Sequence, residues 1–152
     1  MIKYHAHSGV LDEAMLGALL ELRQTMQPER TISMDHIAGC NQFAKRGMVL
    51  HYAKHNEKWV GYKLGYEEKF GVFFSWIGGV AAAYRGQGIA STLMQQQHQW
   101  CAEHHYSTLT TLSNNSYKTM MRLNLKHGFD ITGIRTDGPR VQILFTKQLS
   151  SK

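Results

Sequence analysis

Val80-Ala81-Ala82-Ala83-Tyr84-Arg85-Gly86-Gln87-Gly88-Ile89-Ala90-Ser91-Thr92-Leu93-Met94 is the stretch on which the reading of this chain turns. It leaves an apolar run, passes Tyr84-Arg85, bends through two glycines and enters a segment with helical periodicity. A strand that turns this way into a helix gathers several unpaired backbone N–H groups and the positive helix end at one spot. Such a spot attracts an anion. Gly86 and Gly88 tolerate positive φ and carry no Cβ to hold a phosphate off the backbone, while Ala90 and Ser91 keep the first helical turn narrow. The same residues also fit a plain strand-to-helix turn in which glycine serves geometry alone. Spacing excludes two other phosphate loops: there is no GxxxxGK[ST], and no GxGxxG with an acidic residue about 20 positions on.

Working toward the N-terminus, residues 71–80 read as a strand whose interior glycines, Gly78 and Gly79, mark a bulge or a close backbone approach. Before it, residues 48–53 and 59–66 are β-branched, aromatic and alternating, joined by His55-Asn56-Glu57-Lys58 as a hairpin, and a polar turn Glu67-Glu68-Lys69 completes an antiparallel meander. Leu11, Met15, Ala18, Leu19, Leu22 and Met26 recur at helical spacing, with Ser8 as the expected cap, and residues 2–6 form a first strand. Ser33 opens a second, shorter helix that Gly47 stops. Toward the C-terminus, residues 86–103 form a helix with Ile89, Leu93, Met94, Gln97, Trp100 and Cys101 on one face. Residues 108–112 form a strand and residues 117–127 a helix, followed by two strands around Asp137-Gly138-Pro139.

The composition suits a globular domain: with 152 residues, 43% hydrophobic and 18% charged, and only 2 Pro, disorder, collagen and coiled coil are excluded, and one domain over residues 1–152 is expected. No run approaches the about 18 apolar residues of a membrane span, and the first residues lack a secretory pattern, so a cytoplasmic protein without membrane partners is expected. Cys40 and Cys101, far apart and without CxxC spacing, read as small buried hydrophobes. Seventeen Lys and Arg against eleven Asp and Glu give a net charge of +6, but they are scattered singly, so nucleic acid is not an expected partner. Nine histidines show no zinc spacing, and no metal is expected.

Arg85-x-x-Gly88-x-Ala90 resembles the [RQ]-x-x-G-x-[GA] acyl-coenzyme A loop of the GCN5-related N-acetyltransferase (GNAT) superfamily. The downstream Leu123-Asn124-Leu125-Lys126-His127-Gly128-Phe129 is similar to that family's second motif, LYxKLGF, in the right order and separation. The resemblance implies an α/β fold of the GNAT acyl-CoA N-acyltransferase type, a mixed, mostly antiparallel sheet of about seven strands flanked by about four helices. It also implies acetyl-CoA as co-substrate and an amine-bearing acceptor, a small molecule or a protein. The coenzyme's pyrophosphate would lie on N–H groups from Gln87 to Ser91. Coenzyme contacts are implied for Ile77, Gly78, Val80, Ala82, Arg85, Gly86, Gln87, Gly88, Ile89, Ala90, Ser91, Asn115 and Asn124. A homodimer is a family-level expectation for which the sequence shows no decisive interface.

Acyl transfer to an amine needs a stabilised oxyanion and a proton for the departing thiolate. In the resembling family the strand before the loop splays from its neighbour and pairs with the pantetheine arm, so a backbone N–H near Gly79 would polarise the thioester carbonyl. The family's usual proton donor, a Tyr in the second motif, is replaced here by Asn124, which is no acid. Tyr117, seven residues earlier on the same helical face, is the candidate acid, and Glu68, with Glu67 beside it, the candidate base. Each has a plainer reading: an aromatic packed on the sheet for Tyr117, solvated carboxylates for the pair. The expected function is acetyl transfer to a primary amine by direct attack in a ternary complex. The alternative is a non-catalytic coenzyme A binding or sensing module.

Overall fold

The computed structural model describes residues 1–116 and 118–149. Seven strands and four α-helices follow in the order β1 (Ile2–Ser8), α1 (Glu13–Met26), α2 (Met34–Ala38), β2 (Val49–His55), β3 (Lys58–Lys69), β4 (Val72–Val80), α3 (Ile89–Glu103), β5 (Thr108–Asn114), α4 (Lys118–Lys126), β6 (Asp130–Asp137) and β7 (Arg140–Gln148). They form one mixed sheet of order β1-β2-β3-β4-β5-β7-β6, in which only β4 and β5 run parallel. This is the expected architecture, with local corrections.

Ser8 does not cap α1. It closes β1 opposite Val49, and Asp12 takes the cap instead, its carboxylate accepting from the Met15 N–H at 2.8 Å. Strand pairing with β2 outcompetes an isolated cap because each added residue gains ladder hydrogen bonds. The second helix is α-helical only to Ala38, behind its Ser33 cap, and continues as a 3-10 segment over Gly39–Phe43. Glu67, Glu68 and Lys69 lie in β3 rather than in a turn, and the reversal is made by Phe70 and Gly71. The first hairpin reverses at Asn56 and Glu57, both with positive φ (52° and 66°), as a tight primed turn requires.

Alternation along the central strands assigns the two faces. Tyr62 and Leu64 of β3 pack with Leu16, Leu19 and Leu22 of α1 and with Ile37 of α2. On the other face a Cβ on Gly61 would touch Ile89 and Leu93 of α3, and Phe73, Met94, Cys101, Phe129 and Phe145 form a second core. Cys40 and Cys101 are both buried and free, and burial pushes both thiols up from their ordinary value. No helix among the described residues is long and apolar enough to cross a membrane.

Candidate active site

The parallel pair sets the geometry. β4 and β5 are in register only from Val72 opposite Thr108 to Ser75 opposite Thr111, where the Thr111 hydroxyl donates to the Ser75 carbonyl at 2.8 Å. Beyond that point the strands part. β4 stays paired with β3 out to Val80, and β5 stays paired with β7 out to Asn114, so the edges facing each other across the gap keep main-chain groups without a strand partner among the described residues. An extended ligand can take those groups as a missing strand does.

A bulge opens the gap. Leu64 lies opposite Ile77 and Gly65 opposite Ser75, which leaves Trp76 as the extra residue of β4. The bulge is therefore at Trp76, before the glycines, and Gly78 and Gly79 serve close approach instead. A Cβ on Gly78 would come within 3.0 Å of the Tyr62 carbonyl, and one on Gly79 within 2.1 Å of the Met26 methyl. Ile77 is half-buried against the α1 face, whereas Val80 is buried on the α3 face with Ile89 and Leu93. β4 ends at Val80, so Ala82 is not part of the arm-binding strand; it is exposed in a one-turn 3-10 segment, Ala82–Tyr84.

The chain then enters the glycine turn beside the mouth of the gap. Gly86 and Gly88 have φ of 80° and 82°, and Gly88 is the left-handed N-cap of α3 with no side-chain capping bond. Among the described residues a Cβ at either glycine would meet nothing within 4 Å, so they leave the space above the turn open. Among the described residues no protein acceptor meets the N–H groups of residues 86–91; the first satisfied donor is Thr92, on the Gly88 carbonyl at 3.0 Å. Gln87 is exposed, Ile89 buried, and Ala90 and Ser91 half-buried. The Arg85 guanidinium turns back, its Nε donating to the Val80 carbonyl at 3.0 Å, and pins the strand end to the turn.

The sequence model of the Acetyltransferase (GNAT) family matches residues 16–129. The chain belongs to that family. Solved structures similar to it include the ribosomal-protein-S18-alanine N-acetyltransferase of Escherichia coli, at 18% identity over 99% of this chain and 96% of that one, with a TM-score of 0.82. Another is Ard1 of Thermoplasma volcanium, at 13% identity over 97% and 99% of the two chains and a TM-score of 0.79. A GNAT family acetyltransferase of Elizabethkingia anophelis, solved with acetyl-CoA bound, is 23% identical over 97% and 98%, with a TM-score of 0.72. No curated protein matches the chain.

In this GNAT chain the second motif lies on α4 and the turn that follows it. Asn124 is 2% exposed, and its carbonyl accepts from the N–H groups of His127 and Phe129, closing the helix. His127 then reaches Ser91 in the first turn of α3, Nε2 to Oγ 2.6 Å, which ties the two helices together at the glycine turn. This link was not anticipated, although both residues sit inside the quoted motifs. Asn115 is exposed before α4, accepting from the Lys118 ammonium at 3.3 Å. Lys118, Arg122 and Lys126 recur every four residues as an exposed basic stripe on α4. Tyr117 lies outside the described residues.

The two carboxylates separate from Gly79. Glu67 accepts from the Tyr106 hydroxyl at 2.9 Å, and Glu68, exposed, accepts from Thr110 at 2.9 Å. Thr110 is level with Phe74, which is five residues from Gly79 and therefore roughly 16 Å away along β4. Glu68 thus stands at the root of the gap and Gly79 near its mouth. Aromatic side chains line the α1 side between them: Phe43 stacks on Tyr66 with centroids 3.9 Å apart, and Trp76 meets both edge-on.

The α3 side carries a largely buried polar row, of which sequence reasoning placed only Gln97. His51, Lys63 and Gly78 are cross-strand neighbours, and Gln97 and His98 of α3 are buried on the same side of the sheet. Burial first, then Lys63, holds His51 down to about 4; burial, then Lys147, Lys63 and His127, hold His98 down to about 3. Burial pushes the Lys63 ammonium down to about 8. Lys147 donates to the His98 Nδ1 at 2.9 Å, while the His51 Nδ1 and both polar atoms of the Gln97 amide have no partner among the described residues. No group of three or more His, Cys, Asp or Glu able to hold a metal occurs among the described residues.

Proposed function

We propose that this chain is an N-acetyltransferase that moves the acetyl group of acetyl-CoA to a primary amine by direct attack in a ternary complex. The observation that carries this reading is the junction of an open row of main-chain donors at residues 86–91 with a gap whose facing strand edges are unpaired. Oriented amides held in place before a ligand arrives suit a diphosphate, and the net charge of +6 favours its approach. The arm then runs along Ile77, Gly78 and Val80, and a β4 main-chain N–H beside Gly79 polarises the thioester carbonyl.

In the reaction the neutral amine nitrogen bonds to the carbonyl carbon, the C–S bond breaks, the thiolate takes one proton and the amine gives up one. Asn124 supplies no proton. Tyr117 is the proposed donor, and because a thiol leaves with a pKa of about 8.5, water can complete the step without it. Glu68, at the root of the gap, reaches the amine only through intervening water. Asn124 in place of an acid also favours a second reading, a coenzyme A sensor without turnover.

Replacing Gly88 with Val tests the coenzyme site. A branched side chain at φ 82° enters the open space above the turn, so coenzyme A binding measured by calorimetry should be lost while circular dichroism keeps the folded signature. Undiminished affinity overturns the assignment. Acetylation of any member of an amine panel by the native chain then separates the enzyme from the sensor.

A further inference from the structure

We propose that Met26 is the acyl-length stop of this site, limiting the group carried on the coenzyme to acetyl. The inference rests on the acetyltransferase reading above and names a specificity determinant within it. Met26 is the last residue of α1, and its side chain crosses to β4 in the segment that β5 leaves unpaired. A Cβ on Gly79 would lie 2.1 Å from the Met26 methyl and 3.1 Å from its sulfur, so the end of Met26 rests directly on the Gly79 main chain. Gly79 and Met26 share one side-chain volume, and glycine there is what allows the contact.

A thioester drawn into the gap and held by the β4 main chain beside Gly79 directs its acyl tail toward the α1 face. Met26 occupies that exit, backed by Tyr62 and Leu22 in the same apolar cluster. An acetyl methyl ends at this wall, whereas a longer chain must displace it. Methionine is flexible, so the stop is graded: each further methylene costs affinity rather than meeting a rigid block.

The test is calorimetric binding of acetyl-CoA, butyryl-CoA and hexanoyl-CoA to the native chain and to Met26→Ala, each read as a ratio to free coenzyme A, which has no acyl group. The native chain should bind hexanoyl-CoA at least about tenfold more weakly than acetyl-CoA, and Met26→Ala should bring the two within about threefold. Met26→Val withdraws the sulfur and terminal methyl but leaves a short apolar, β-branched side chain on α1, and it replaces Met26→Ala if circular dichroism shows the latter unfolded. Equal affinity of the native chain for all three thioesters overturns the proposal, as does discrimination that survives both substitutions. Failure of the native chain to bind free coenzyme A overturns the site itself, and that outcome is separate from the other two.

Discussion

The two faces of the sheet are built from different chemistry. Toward α1 and α2 the strands present Trp59, Tyr62, Leu64, Tyr66 and Trp76, an apolar and aromatic surface. Toward α3 and α4 they present Phe73 and Val49 but also His51, Ser75 and the half-buried Lys63, joined by Gln97 and His98 from the helix. The open donor turn at Gly86–Gly88 begins α3, so the face on which we propose that a charged coenzyme docks is also the one that buries polar groups. The opposite face, with Met26 and the aromatic wall, is suited to the acyl tail and the acceptor. On the proposed acetyltransferase reading, one sheet offers the two substrates two solvents, and they meet in the gap between β4 and β5.

The contrast predicts where each kind of perturbation acts. Phe73→Ala, at a fully buried position of the α3 side, should cost about 4 kcal/mol in denaturant unfolding, the largest single effect. A loss below about 1 kcal/mol would show that this core collapses freely around the missing ring.

Acid should act next, through the α3 side. Above about pH 6.5 His51 and His98 are neutral folded and unfolded and contribute no slope. Below it the unfolded chain binds protons that the folded chain refuses until about 4 for His51 and about 3 for His98, so stability falls as pH falls. Each histidine contributes up to about 1.4 kcal/mol per pH unit in that window. His98→Leu should flatten the fall between pH 6 and 4 in thermal unfolding; an unchanged slope would remove His98 from the account.

Tyr117→Phe should lower kcat about tenfold with the KM for acetyl-CoA little changed if the hydroxyl protonates the thiolate, and equal rates would assign that proton to water. The smallest effect belongs to His127→Ala. It removes the bond to Ser91 and should cost about 1 kcal/mol and a few-fold in coenzyme affinity, read by unfolding and calorimetry. A stability loss without an affinity loss would limit that bond to holding the helices together.

Much of this was legible along the chain. The spacing of Leu19 and Leu22 marked the buried stripe of α1, although it took Met15 where the structure buries Leu16, and the Gly86 and Gly88 pair marked the donor turn before α3. The helix start was misplaced at Ser8 because a cap residue and a strand end share the same residue type, and pairing with Val49 decides between them. The bulge at Trp76 was hidden because glycine draws attention to itself, whereas the inserted residue is set by register against β3.

Residues near one another in sequence determined the turn, the donors it exposes and the periodicity of the helices, because dihedral preference and side-chain period act over a few residues. The tertiary structure alone decided that β4 and β5 part after Ser75, that Met26 rests on Gly79 and that His98 loses its water. Register, contact and desolvation depend on which distant segments meet, and that is fixed only when the whole sheet closes its pairs.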